Sequence, residues 1–289
     1  MRRLTLVLGA GGQLGEAMTS MLGPHDEIVA RTRDELDITV PDAVRATVSS
    51  VCPDVIINCA GYTSVDGAQS APLQALAANA WAVRTLAHVA AEIDAVFVHF
   101  STDFVFDGET DRPYVEEDPP NPRGTYAVTK LLGEWLAADA VRHYVLRVES
   151  LFGGLRARSS VDRILDGILA GTEVRTFVDR TVSPSYVADV VAATGSLLDR
   201  GAPHGVYHCV NSGWTTWTGL ARELARLLDK PDARIAEVPL ADAALLTSRP
   251  RFAALDNSRL GRQQIVMPTW HDALARYVHA RLHTSGDDQ

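Results

Sequence analysis

Short apolar runs alternate with segments of helical apolar spacing, and this alternation constrains the chain more than any other feature. The runs RLTLVLG, DEIVA, DVIINCAG, AVFVHFS and HYVLRVE read as buried strands. Between them, QLGEAMTSML, PDAVRATVSSV, APLQALAANAWAVRTLAHVAAE and YAVTKLLGEWLAAD place apolar residues at helical intervals. Strand, helix, strand repeated in this order predicts a parallel sheet covered by helices on both faces. Right-handed crossovers then give an α/β fold with a doubly wound Rossmann sheet.

Past Gly153 the pattern changes. EVRTFVD and GVYHCVN are strand-like, and helical spacing recurs near 160–170, 187–199, 216–229 and 270–282. We expect residues 1–152 to form a dinucleotide-binding core, with returning segments about 172–210. Residues 153–171 and 211–289 are expected to form a smaller substrate-binding lobe. The tail HTSGDDQ, 283–289, has a disordered composition.

Composition removes several classes of function. The net charge is −9 with no Lys/Arg-rich block, so the basic surface that nucleic acid requires is missing. No apolar stretch approaches bilayer-spanning length, and the N-terminal run breaks on glycines without a cleavage-like segment. A soluble cytoplasmic protein is the expectation. Cys52, Cys59 and Cys209 lack metal-ligand spacing and are odd in number, which argues against a disulfide framework. His99 and His208 lie in apolar runs and read as core histidines.

LVLGAGGQLG sets Gly9, Gly12 and Gly15 between the first strand and the first helix. Glycine there permits a tight turn and a close approach of backbone to a pyrophosphate at a helix N-terminus. Gly12, Gln13, Leu14 and Gly15 are therefore candidate cofactor contacts. The second strand ends at Ala30 and is followed by Arg31, Thr32 and Arg33 rather than by the acidic residue that holds a ribose 2′-hydroxyl. Two guanidinium groups suit a 2′-phosphate, so Arg31 and Arg33 favour NADPH, with NADH as the alternative. Asp37, followed by Ile38, could meet the adenine amino group.

Tyr126 and Lys130 stand four apart in GTYAVTKLLGEWL and share a helix face. An ammonium beside a phenol would lower its pKa, and a phenol so tuned can protonate a carbonyl oxygen.

Together GAGGQLG, LDIT, PDVIINCAGYTSVDGAQ, STDFVFDG, the Tyr-x-x-x-Lys helix and SPSYVADV resemble the extended short-chain dehydrogenase/reductase superfamily. Within it, the chain is similar to the dTDP-4-dehydrorhamnose reductase family over most of its length. The resemblance implies NADPH-dependent reduction of the C4 ketone of a dTDP-4-keto-6-deoxy sugar. Tyr126 would be the proton donor, Lys130 the residue that binds the nicotinamide ribose, and Thr102 the catalytic hydroxyl. Ser101 would support the cofactor side. Cys59, Ala60 and Gly61 match the strand end that passes the cofactor. Tyr62, Thr63 and Val65 match the loop flanking nicotinamide and sugar, and Asn79 matches a helix position of the cofactor site. Asp103, Phe104, Ser150, Arg180 and Arg249 fall where the substrate is expected. Some relatives hold magnesium at a dimer contact. Glu16 matches one such position, but only Asp189 is available downstream, so no essential metal is expected. A homodimer is compatible with the resemblance.

Departures from the family pattern collect in the expected sugar pocket. Phe104 stands where the family usually has Tyr, Ser150 where it has a sugar-packing Trp, and Arg180 where it has Gln; Glu149 precedes Ser150. The cofactor and Tyr–Lys positions are intact. The sugar need not be the rhamnose precursor. A catalytically silent binding subunit of the same fold is the alternative, as in the regulatory β subunit of methionine adenosyltransferase, which resembles this branch. A nucleotide-sugar epimerase/reductase is another, but it commonly needs a Cys and a His near the sugar, and STDFVF has no Cys.

Overall fold

The computed structural model describes residues 2–154 and 159–284. Its centre is a six-stranded sheet with every pairing parallel. The first five strands are β1 (Leu4–Leu8), β2 (Glu27–Arg31), β3 (Val55–Asn58), β4 (Val96–Thr102) and β5 (His143–Val148). The sixth, Gly205–His208, pairs with β5, so the order is Gly205–His208, β5, β4, β3, β1, β2. The order reverses between β1 and β3. That reversal opens a crevice at the strand C-termini, where α/β sheets bind ligands.

Strands of four to seven residues that are mostly apolar and almost wholly buried must be covered on both faces. Helix α1 (Gln13–Leu22) and the helix Val187–Arg200 cover one face, around Met18, Val98, Leu146 and Val190. Helix α2 (Pro41–Val51) and the helical run 72–92 cover the other, around Val44, Ile56, Leu86 and Phe97.

The run 71–92, expected as one helix, is divided. A short helix α3 (Val65–Ser70) precedes α4 (Pro72–Leu76), a π turn spans Ala77–Trp81, and α5 (Ala82–Glu92) follows. The wide turn directs the Asn79 amide inward and presents its carbonyl to helix α6 (Thr125–Ala137). π turns of this kind commonly sit at functional sites.

The lobe has its own core of Phe152, Leu165, Val174, Trp217, Leu224 and Leu274. Strand Val174–Phe177 pairs there with Ile235–Val238, a strand the sequence reading missed. The returning segment expected from about 172 therefore rejoins the core only at Val187, because Val174 and Val182 pack in the lobe. Leu260, Ile265 and Met267, expected in the lobe, pack in the main core instead. The helix Trp270–Thr284 takes in the first two residues of the expected disordered tail; 285–289 lie outside the described residues. Among the described residues no helix is long and apolar enough to cross a membrane.

Gly133 on α6 is a sharp test of this packing. A Cβ there would lie 2.2 Å from the Asn79 carbonyl oxygen. Alanine normally strengthens a helix relative to glycine by about 1 kcal/mol. We expect Gly133→Ala to lower stability by about 1–3 kcal/mol in urea denaturation, because main chain must move.

Candidate active site

The glycine loop is built around one close approach. Gly9, at φ +72°, lies so near the end of β3 that a Cβ would sit 2.6 Å from the Ala60 nitrogen. A Cβ on Gly15 would meet the Gly9 oxygen at 2.2 Å, so α1 seats directly on the strand end. Both positions therefore require glycine. Gly12 precedes α1 with no side-chain cap, which leaves first-turn N–H groups to an anionic ligand. Ala10 N–H donates to the Arg31 carbonyl at 3.0 Å, and this places Arg31 beside the loop. Cys59, Ala60 and Gly61 continue from β3 along the same crevice.

At the end of β4, Thr102 and Asp103 are buried, and the Thr102 hydroxyl donates to Asp103 Oδ1 at 2.8 Å. Tyr126 faces them from the first turn of α6, packed with Tyr62, Val65 and Phe104. The Phe104 ring meets the Tyr126 ring edge-on at 5.6 Å. The guanidinium groups of Arg180 and Arg249 lie 5.6 and 5.9 Å from the same Phe104 ring. Sequence positions 62–65, 102–104, 126, 180 and 249 thus converge on one site.

Thr102 pairs with Val148 across β4 and β5, so Asp103 and Glu149 follow side by side at the strand ends. Ser150, next in the chain, turns at φ +45°. Glu149 Oε2 accepts from Ser183 N–H at 2.5 Å, whereas Glu149 Oε1, Asp103 Oδ2 and Arg180 Nε are buried without a hydrogen-bond partner. Burial pushes the Asp103 carboxyl up to about 6, against the Arg180 charge. Burial, and then the Asp103 charge, hold Glu149 well above the ordinary carboxylate range. Such unpaired buried polar atoms mark a place built to meet further polar groups. Beyond Arg180 the lobe holds a cavity of about 430 Å³, lined in part by Arg163, Arg175, Phe177 and Trp217.

Several of the expected site residues are engaged with other groups of the protein. Ser101 faces away from the crevice and donates to Glu134 Oε1 at 2.5 Å. Successive strand residues face opposite sides, so Ser101 and Thr102 cannot both serve the ligand edge. Asn79 is wholly buried: its Oδ1 accepts from Tyr62 N–H, and its Nδ2 donates to Tyr62 O and Thr129 Oγ1. It positions the Tyr62 loop. Asp37 is occupied by the N–H and hydroxyl of Thr39, while Ile38 and Leu14 are core residues. Gln13 Nε2 donates to the Gly153 carbonyl at 2.7 Å and links the first turn of α1 to the segment that follows β5. Arg249 pairs with Asp66 at 2.9 Å. Arg31 Nη1 donates to its neighbour's carbonyl, and Arg33 is exposed. Thr63 is exposed at the start of the loop.

The expected lowering of the Tyr126 pKa is not found. Burial raises it, the Asp103 charge adds to the rise, and only the Thr102 hydroxyl opposes them. Lys130 is turned to the Phe100 carbonyl, to which its Nζ donates at 2.5 Å. Asp189 is engaged by Asn211 and Arg276. Among the described residues no group of three or more His, Cys, Asp or Glu is arranged to hold a metal ion.

Two residues with structural weight escaped the sequence reading. Glu134 and Arg147 form a buried two-point ion pair, with contacts of 2.9 and 2.7 Å, that fastens α6 to β5. A Glu one turn past Lys130, on the apolar face of the same helix, was the available signal.

A glycine loop at the switch point and a Tyr-x-x-x-Lys helix beside it define the class: a short-chain dehydrogenase/reductase. A sequence model described as the RmlD substrate binding domain matches residues 1–282, and the chain belongs to that family, the dTDP-4-dehydrorhamnose reductases. It is 36% identical over 270 residues to a dTDP-4-dehydrorhamnose reductase of Streptomyces griseus, covering 88% of this chain and 86% of that one. A probable dTDP-4,6-dihydroxy-2-methyloxan-3-one 4-ketoreductase of Streptomyces antibioticus is 33% identical, with 93% and 92% covered. The crystal structure of a dTDP-4-dehydrorhamnose reductase from Bacillus anthracis in complex with NADP superposes with a TM-score of 0.92. It is 27% identical, with 97% of this chain and 100% of that chain covered.

Removing one member of the buried pair strands the other charge. We expect Glu134→Gln to lower stability by about 3–5 kcal/mol, measured by denaturant unfolding. The double variant Glu134→Leu with Arg147→Met should recover much of that loss.

Proposed function

We propose that the chain is an oxidoreductase that reduces the C4 ketone of a dTDP-4-keto-6-deoxy sugar with NADPH. The observation that carries this reading is the convergence of Thr102 and Tyr126 at the end of β4, beside the glycine-loop crevice. NADPH fits the residues present: a loop that excludes a side chain at Gly9 and Gly15, an uncapped helix N-terminus, and Arg31 beside the loop for a 2′-phosphate. When bound, the cofactor supplies the hydride.

The protein's own part is alignment and proton supply. The Tyr126 phenol is held protonated by burial, as a proton donor must be. It would deliver that proton to the alkoxide forming at C4. Thr102 would hydrogen-bond the same oxygen, where charge develops in the transition state. Lys130 would hold the nicotinamide ribose. Thr63, Val65 and Phe104 would border the sugar, and Asp103, Glu149 and Ser150 would meet its polar substituents. Arg180 and the arginine-lined lobe cavity suit the diphosphate end. Phe104 and Ser150 remove a hydroxyl and an aromatic platform usual in the family, which favours a deoxysugar other than the rhamnose precursor.

NADPH oxidation in the presence of a dTDP-4-keto-6-deoxyhexose tests the reading. Tyr126→Phe should lower kcat by about 10²–10⁴-fold with cofactor binding retained. Equal activity in the variant would reject the assigned proton donor. Tight cofactor binding with no turnover on any such sugar would favour a silent binding subunit. Arg31→Ala with Arg33→Ala should raise the KM for NADPH more than that for NADH; an equal rise would remove the 2′-phosphate role.

A further inference from the structure

Lys130 sits at the end of a hydrogen-bond chain whose direction can be worked out. The Ala60 backbone N–H donates to Asn58 Oδ1 at 3.1 Å. A backbone N–H can only donate, so this contact fixes which end of the Asn58 amide is oxygen. Asn58 Nδ2 then faces His99 Nδ1 at 3.2 Å and must be the donor. His99 is almost fully buried, and burial and then the Lys130 charge hold its pKa well below the ordinary value, so the imidazole is neutral. With Nδ1 accepting, the single proton of the ring is on Nε2. That N–H points at Lys130 Nζ, 3.4 Å away.

An ammonium has three donors and no acceptor, so it cannot receive this N–H. An amine can: its lone pair accepts from His99 while one of its own N–H groups donates to the Phe100 carbonyl. We propose that Asn58 and His99 act as positioning residues that oppose protonation of Lys130 in the unloaded site. The charged surroundings agree. Burial brings Lys130 down to about 8, opposed only by Glu134 on its own helix. Glu134 is already committed to Arg147 on β5 and Ser101 on β4. Asn79, contributed by the π turn, carries no charge. Lys130 can therefore gain and lose a proton near neutral pH, which an arginine could not. The chain has only two lysines, Lys130 and Lys230, among 27 basic residues, so the one at this site can be observed directly.

The full-length protein, free of cofactor and labelled with ¹³C at lysine Cε, is titrated by NMR, with Lys230→Arg assigning the signals. Lys130 should titrate at about 8. Asn58→Asp is the decisive variant. A carboxylate would accept from His99 Nδ1–H, move the lone pair to Nε2 and so receive an ammonium. The Lys130 midpoint should rise by about one unit or more. If Asn58→Asp does not fold, His99→Phe, which deletes the opposing N–H, should also raise it. A wild-type midpoint at or above roughly 10, or no rise in the deciding variant, overturns the proposal. Neither cofactor nor sugar enters the measurement, so its outcome is independent of the proposed reduction.

Discussion

The buried pair of Glu134 and Arg147 is the interaction on which the site's geometry depends. It ties α6 to β5, and through Ser101 to β4. Arg147 extends the chain of contacts to His208 on the edge strand, 3.3 Å away, and stacks over Phe106. Tyr126 and Lys130 lie on the same helix, two turns and one turn before Glu134. Their placement against Thr102 and His99 follows from where that one carboxylate is held. A buried ion pair is weak evidence for net stability but strong evidence for a fixed register. Here the fixed register is that of the Tyr126 helix against the end of β4.

The core strands were legible because each was short, apolar and bounded by turn residues, and because a parallel sheet hides both faces. Gly9 and Gly15 were legible because steric exclusion leaves only one residue type. What stayed hidden depended on side-chain direction. Ser101 and Thr102 are adjacent in the chain, but the pleat sends them to opposite sides of the sheet. Asn79 looked like a cofactor contact, yet a π turn, invisible in helical periodicity, turns it to the Tyr62 backbone. The strand Ile235–Val238 has half-exposed residues and little hydrophobic contrast, so its partner Val174–Phe177 was assigned to the wrong layer.

Arg180, which stands where the family has Gln, lies beside Asp103 and Glu149, and together they leave two carboxylate oxygens and a guanidinium nitrogen without partners. The residues placed at the proton-transfer end, Thr102, Tyr126 and Lys130, have all retained the family's types. Phe104 joins the two parts of the site, touching Tyr126 on one side and two arginines on the other.

The most direct measurement follows the hydride itself. NADPH carrying deuterium at nicotinamide C4, in either stereochemical position, is incubated with a dTDP-4-keto-6-deoxyhexose, and the sugar is examined by NMR. Deuterium is expected at sugar C4 from one of the two labelled faces, with a single configuration at that carbon. Bound cofactor with no deuterium in the sugar from either face would contradict it.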